Sequence, residues 1–326
     1  MGVVGRVDAY QRRHRWAGLP LAVVYKFVDD QGTYLTAMIT YYGFVSLFPL
    51  LLLFVTVLGF VLEGNPGLQQ RALDSALAQF PVIGDQIGAN IGSFRGSELA
   101  LAAGVVGSVY GALGVVQAAQ NALNKMWGVP RNSRPNPVLA RVRSLALLAV
   151  GGVVLLGTAL LSGIITSSGA FGTGVRAVVI AAAIAMNVVL FTVTFRMLTA
   201  RPLTIAQVRT GAIVAALVWQ LLQWAGTFLF GHWLQGASAT YGLFGIVLGL
   251  LTWIYLGALT FVLSAEINVV RERRLWPRSL LTPFTDNVEL TSADRRAYAS
   301  YAETERHKGF ENVDVDFDPP PRDDPD

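Results

Sequence analysis

Charged residues in this chain fall in short clusters, with long uncharged stretches between them. Asp30 to Glu63 encloses 32 uncharged residues, Glu98 to Lys125 encloses 26, and Arg143 to Arg176 encloses 32. Arg176 to Arg196 encloses 19 and Arg209 to Glu266 encloses 56. A helix needs roughly 20 apolar residues to cross a bilayer. The first four runs fit one crossing each. The last fits two, divided near His232 to Tyr241, where Gly236, Ser238, Thr240 and Gly242 form a polar, turn-prone stretch. The pattern predicts an all-α integral membrane protein with six transmembrane helices, near 35–62, 99–124, 144–167, 177–197, 210–231 and 243–268.

The basic residues orient these helices. One set of loops (1–33, 125–143, 196–209 and 271–278) carries 17 Lys and Arg, while the other (63–98 and 168–176) carries 3. By the positive-inside rule both termini are expected in the cytoplasm. An odd number of crossings would scramble this alternation. The chain then divides into a basic lead (1–33), a six-helix domain (34–275) and an acidic tail (276–326).

Three flanking segments show patterns of their own. Residues 67–94 repeat apolar positions at helical spacing: Leu73, Leu77 and Phe80, then Ile83, Ile87, Ile91 and Phe94 after Pro81. This predicts amphipathic helices in the first outer loop, lying on the membrane interface or packed on the spans. Trp16 to Val28 reads as a further amphipathic helix on the cytoplasmic surface, with Asp29 and Asp30 capping the first span. From residue 279 onward, twelve acidic and five basic residues predict a largely disordered tail, either solvated or binding a cytoplasmic partner. One exception is Thr291-Ser-Ala-Asp, which matches a capping box and predicts a short helix there.

Composition agrees with a membrane setting. The chain is 53% hydrophobic and 14% charged, against about 25% charged for a soluble domain. It has no cysteine and only three histidines, His14, His232 and His307. No Asp or Glu lies between Glu98 and Glu266. Carboxylate pairs for acid–base or metal work therefore cannot come from the second to fifth spans. No Walker-type phosphate loop or metal-ligand spacing is present. No enzymatic activity, metal or cofactor is expected, and no nucleic-acid partner.

Polar residues inside the spans are the stronger clue, because hydrocarbon tolerates them only where they face protein or water. Tyr110, Gln117, Asn121 and Asn124 fall on one stripe of the second span, Gln220, Gln223 and Thr227 on one of the fifth, and Thr252, Tyr255 and Glu266 on one of the sixth. With Tyr42 and Ser46 of the first span, the residues Gln117, Asn121, Gln220, Gln223, Tyr255 and Glu266 are candidates to line an internal cavity. Interhelical hydrogen bonding is the other reading of the same stripes. Glu266 lacks a basic neighbour one turn ahead. Arg196, Arg209 and Lys125 lie at the same depth as candidate ion-pair partners, and a coupled carboxylate is the alternative to a structural salt bridge. Pro49 is expected to kink the first span. Gly107-x-x-x-Gly111 and Gly245-x-x-x-Gly249 predict close helix packing, within one chain or between two copies in a homo-oligomer.

Several segments in order carry a family resemblance. They are Tyr-Tyr-Gly-Phe-Val-Ser-Leu-Phe-Pro-Leu-Leu at 41–51, Gln-Asn-Ala-Leu-Asn-Lys-Met-Trp at 120–127, and Arg201-Pro202 with Gly211-Ala212 and Trp219. Tyr-Gly-Leu-Phe-Gly at 241–245, Trp253-Ile254-Tyr255 and Ser-Ala-Glu-Ile-Asn at 264–268 complete the set. Over residues 15–275 the chain resembles the YihY/BrkB family of bacterial inner-membrane proteins. The resemblance implies a six-helix protein of the inner membrane. Members have been labelled ribonuclease BN or virulence factors, and have been suggested to move lipids or envelope components. The ribonuclease label finds no His/Asp cluster here to support it. Transport of a lipid or other amphiphile without an ATPase is the leading expectation, with membrane lipids as partners. A scaffold for envelope machinery is the alternative.

Overall fold

The computed structural model describes residues 3–61, 67, 98–134, 136 and 173–318. Among these the protein is all-helical: α1 (Val3–Arg13), α2 (Arg15–Asp29), α3 (Gly32–Val61), α4 (Glu98–Met126), a 3-10 turn (Arg131–Ser133), α5 (Thr173–Leu198), α6 (Ile205–Glu272) and α7 (Ser292–Thr304). The segments 67–94 and 144–167, for which interfacial helices and a third span were expected, lie outside the described residues apart from Gly67.

Within the described residues the long uncharged runs become long helices, because in hydrocarbon every backbone polar group must bond within the chain. Among the described residues, three stretches are long and apolar enough to cross a membrane: Ile180–Leu198, Ile205–Gly226 and Val247–Glu272. These overlap the expected spans at 177–197, 210–231 and 243–268. Only 6% of the apolar window in α5 is buried, and Val178, Ile180, Val189, Ile213, Leu217, Leu221, Trp224, Phe244 and Leu248 are exposed. So many exposed apolar side chains on these helices suit lipid and not water. The runs expected at 35–62 and 99–124 lie in α3 and α4, and α3, at 30 residues, is about 45 Å long.

The helices pack antiparallel. Ser46 of α3 lies against Gly111 of α4, Tyr42 against Gly114, and Lys125 donates to Gln31 at 3.0 Å. A Cβ on Gly111 would come within 2.6 Å of the Ser46 Cα. The glycine lets the two backbones approach, so the close packing expected of Gly107-x-x-x-Gly111 joins two helices of one chain at Gly111. Pro49 lies within α3, and its side chain is outside those described.

Helix α6 is helical over 68 residues, about 100 Å if straight. It doubles back instead. The Gly211 amide donates to Asn268 at 2.6 Å, Trp219 meets Trp253 at 6.3 Å between ring centroids, and Trp219 covers Gly257. The midpoints of these pairs fall between residues 236 and 240, inside the stretch where a turn was expected. Phe195 of α5 packs on Phe261 at 5.2 Å, and Gly43 of α3 packs on Ile254. The core they enclose includes Leu35, Ala119, Ala122, Leu123, Met126, Phe195, Val208, Ala212, Val262, Ala265 and Val269. It is rich in small side chains, which in a membrane bundle permit close helix approach.

Two expectations are corrected at the end of this bundle. Asp29 and Asp30 do not cap the first span. Asp29 closes α2 and Asp30 is its C-cap, and the chain enters α3 through Gln31 in the left-handed region (φ 59°). The tail was expected to be largely disordered from residue 276, yet residues 276–304 fold back onto the bundle. Helix α7 begins where the capping box placed it: the Thr291 side chain accepts from the Asp294 amide at 3.1 Å, and the Asp294 side chain accepts from the Thr291 amide at 2.9 Å.

Candidate functional site

The end of the bundle where α2, the close of α6, residues 273–281 and α7 meet holds a group of buried charges. Helix α2 supplies them by its period: Ala22, Lys26 and Asp30 lie four residues apart on its inward face. Lys26 and Asp30 form a close ion pair. Glu266, from α6, is fully buried, and its Oε2 lies 3.9 Å from Lys26 Nζ. The Lys26 ammonium also sits 5.0 Å from the centre of the Tyr301 ring, a cation–π contact.

A second set adjoins the first. Arg278, 1% exposed, pairs with Asp29 at 3.0 Å and closely with Asp294 of α7. Tyr301 donates to Asp29 at 3.2 Å. The Asp294 carboxylate also accepts from the Ser279 amide at 3.0 Å. Burial opposes the charge on Arg278, but the hydrogen bond to Asp294 and the charges of Asp29 and Asp294 outweigh it and hold its pKa above the ordinary guanidinium value. Burial pushes the Tyr301 hydroxyl up as well, reinforced by the charges of Asp30 and Asp29.

Backbone contacts stitch the chain ends together around these charges. Gln11 donates to the Arg278 carbonyl at 2.6 Å, Tyr25 donates to the Leu280 carbonyl at 2.6 Å, and the Leu280 amide donates to Asp8 at 2.9 Å. Arg273 bonds the Trp127 carbonyl and Ser300. The amino-terminal helices and residues 273–304 therefore share one end of the bundle with the close of α4.

Some oxygens in this cluster lack donors. Both oxygens of Glu266 and Oδ1 of Asp30 are buried with no hydrogen-bond partner. An ionised carboxylate in that position carries a full desolvation penalty.

Of the eight residues proposed from the polar stripes, Glu266 lies in this cluster and the others do not. Tyr42 is half-buried over Gly114. Ser46 is buried and donates to the Gly43 carbonyl at 2.9 Å. Gln117 is exposed, and so is Asn121, which accepts from Arg134 at 3.0 Å. Asn124, from the same stripe, is buried and accepts from the Ala200 amide at 2.8 Å. Gln220, Gln223 and Tyr255 are half-buried. A half-open recess beside α7, lined by Thr282, Glu289, Arg295 and Asp318 among others, includes none of the stripe residues.

The cation facing Glu266 is Lys26. Of the candidates read from depth, Arg196 donates to the Leu203 carbonyl at 2.8 Å, Lys125 is engaged with Gln31, and Arg209 is exposed. Sequence reasoning counted Lys26 and Arg278 only as topological charges, placed Asp294 only in the capping box, and passed over Tyr301. The available signal was the Lys26–Asp30 spacing on a helix whose neighbouring positions are apolar.

Comparison with known proteins agrees with this membrane architecture. Neither a curated protein nor a solved structure matches the chain. Residues 23–285 match the family described as Virulence factor BrkB. That segment contains α3 to α6, Lys26, Asp29, Asp30, Glu266 and Arg278, and the chain belongs to this BrkB family.

Proposed function

We propose that the chain is a non-enzymatic, six-span protein of the bacterial inner membrane, with both termini cytoplasmic, that moves a lipid or another amphiphile across the bilayer. The contact between the amino-terminal helices and residues 273–304 at one end of the bundle supports an even number of crossings. Lys125, Arg196 and Arg273 are at that same end, which supports its assignment to the cytoplasm.

The observation that carries the transport reading is Glu266, fully buried in the apolar stretch Val247–Glu272 with no donor to either oxygen. An ionisable group held inside a membrane helix is costly, and such groups mark ion and substrate pathways. Without a nucleotide-binding loop, movement would be passive or driven by an ion gradient.

The test is movement of fluorescent phospholipid between leaflets in liposomes carrying the purified protein. Faster movement than in empty liposomes is expected, and Glu266→Gln should slow it at unchanged protein abundance. No increase over empty liposomes, with and without a proton gradient, overturns lipid translocation.

A further inference from the structure

Lys26, Asp30 and Glu266 form a closed group whose side chains are 2%, 1% and 0% exposed. Fully ionised, the three would carry one excess negative charge in a space removed from water. That is an expensive arrangement, because an uncompensated buried charge has neither solvent nor a partner to offset it.

The surrounding charges are mostly bonded to partners of their own. On α2, Asp29 adds a further negative charge beside Glu266. Arg278 is shared between Asp29 and Asp294. Tyr301 of α7 presents its ring to Lys26 and its hydroxyl to Asp29. Arg273, the C-cap of α6, is felt by Asp30 through its charge but bonds Trp127 and Ser300. Lys125 of α4 and Arg196 of α5 are directed to Gln31 and Leu203.

The two acids differ in how Lys26 serves them. Asp30 forms a close pair with it through Oδ2. Glu266 lies 3.9 Å away, beyond hydrogen-bond distance. Both carboxyl groups face that one ammonium, and two such groups can bond each other only if one of them keeps its proton.

We propose that Asp30 and Glu266 hold one proton between them, balanced by Lys26, as a proton-binding site where α2 meets the last span. A proton held there gives a donor to a group whose Glu266 oxygens and Asp30 Oδ1 otherwise have none. Its release to water leaves two carboxylates facing each other with one ammonium. That breaks the bond between α2 and α6 and drives the helices apart. Proton occupancy and the seating of α2 are thus linked. This deepens the transport reading by naming the ion as a proton.

Infrared difference spectroscopy of the full chain in lipid nanodiscs tests the site, because a water-excluded carboxylic acid has a carbonyl band distinct from that of a carboxylate. The wild type should show one such acid at neutral pH. Glu266→Gln and Asp30→Asn should each lose it, since the remaining carboxylate pairs ionised with Lys26. Lys26→Met should show two. If one amide variant does not fold, the other still decides the matter. Absence of the band in the wild type, or its survival in both amide variants, overturns the proposal. So does a wild type without the band whose melting temperature rises in Na+ or K+ relative to choline, which would make the site one for a metal cation. The readout is a spectrum and needs no transport, so an intact band in a protein that moves no lipid would count against the transport reading and not against the proton site.

Discussion

Arg278 reaches Asp29 at 3.0 Å across 249 residues of chain, with its guanidinium 1% exposed. The same guanidinium holds Asp294 and lies over the rings of Tyr25 and Tyr298 at 5.9 and 5.6 Å. One side chain thereby joins α2 to α7 and seats the carboxy-terminal segment. Arg278→Met leaves two acids without their cation, one of them fully buried. Breaking a buried pair costs about 3–5 kcal/mol. The variant is expected to melt at lower temperature and to be cut by protease between residues 279 and 304. An unchanged cleavage pattern would show that α7 is held by other contacts.

The hairpin within α6 depends on Gly211. Its amide bonds Asn268, and a Cβ there would collide with the Ser264 carbonyl and the Asn268 side chain. The Ser264 carbonyl is helix backbone and cannot swing aside. Gly211→Ala should therefore lower stability by about 1–3 kcal/mol, the usual cost of overpacking. Thermal unfolding in detergent measures this, with Ile213→Ala, at an exposed position, as the control expected to change little.

Tyr301 makes stability fall in alkali. Burial, with the charges of Asp30 and Asp29, raises its folded pKa above the ordinary tyrosine value of 10.0. A group raised in the folded state contributes stability that is fully present below the unfolded pKa. That contribution is lost as the pH climbs from there toward the folded value, because the unfolded chain releases the proton first. Above pH 10 the melting temperature should drop, and Tyr301→Phe should flatten that drop. Equal slopes in the two proteins would remove Tyr301 as the cause. Tyr25 and Tyr298 shift in the same direction, also chiefly through burial, so some slope should remain.

Thr291 anchors the start of α7 twice. Its hydroxyl accepts from the Asp294 amide and lies 2.9 Å from the Pro277 carbonyl as donor. Thr291→Ala removes the cap and should cost about 1 kcal/mol. Thr291→Ser, which keeps the hydroxyl, should restore most of it. Comparing the two by hydrogen exchange over residues 292–304 separates the cap from the lost methyl group.

Local features are legible in the residue order itself. The uncharged runs among the described residues become helices because a backbone in hydrocarbon has no other way to satisfy its polar groups. The Thr291 capping box is equally local, set by residues within a few positions of one another. The close contact at Gly111 can be read too, since a missing side chain limits what else the position can do.

The polar stripes are less informative. Gln117 and Asn121 share a helix face with the buried Asn124, yet helical periodicity reports only which residues share a face. It does not report whether lipid, water or another helix lies opposite. The tail misleads for a related reason. Averaged from residue 279 onward it is strongly acidic, but Glu311, Asp314, Asp316 and Asp318 lie past the docked turns. The part that packs carries Ala293, Ala297, Tyr298 and Tyr301.

Composition and spacing were enough for helical, membrane-type segments and for the start of α7, because those depend on neighbours along the chain. The partners of Glu266 and Arg278 came only from the fold. Lys26, Asp29 and Asp294 are brought to them by which helix ends meet, and an ion pair between distant segments leaves no trace in local spacing.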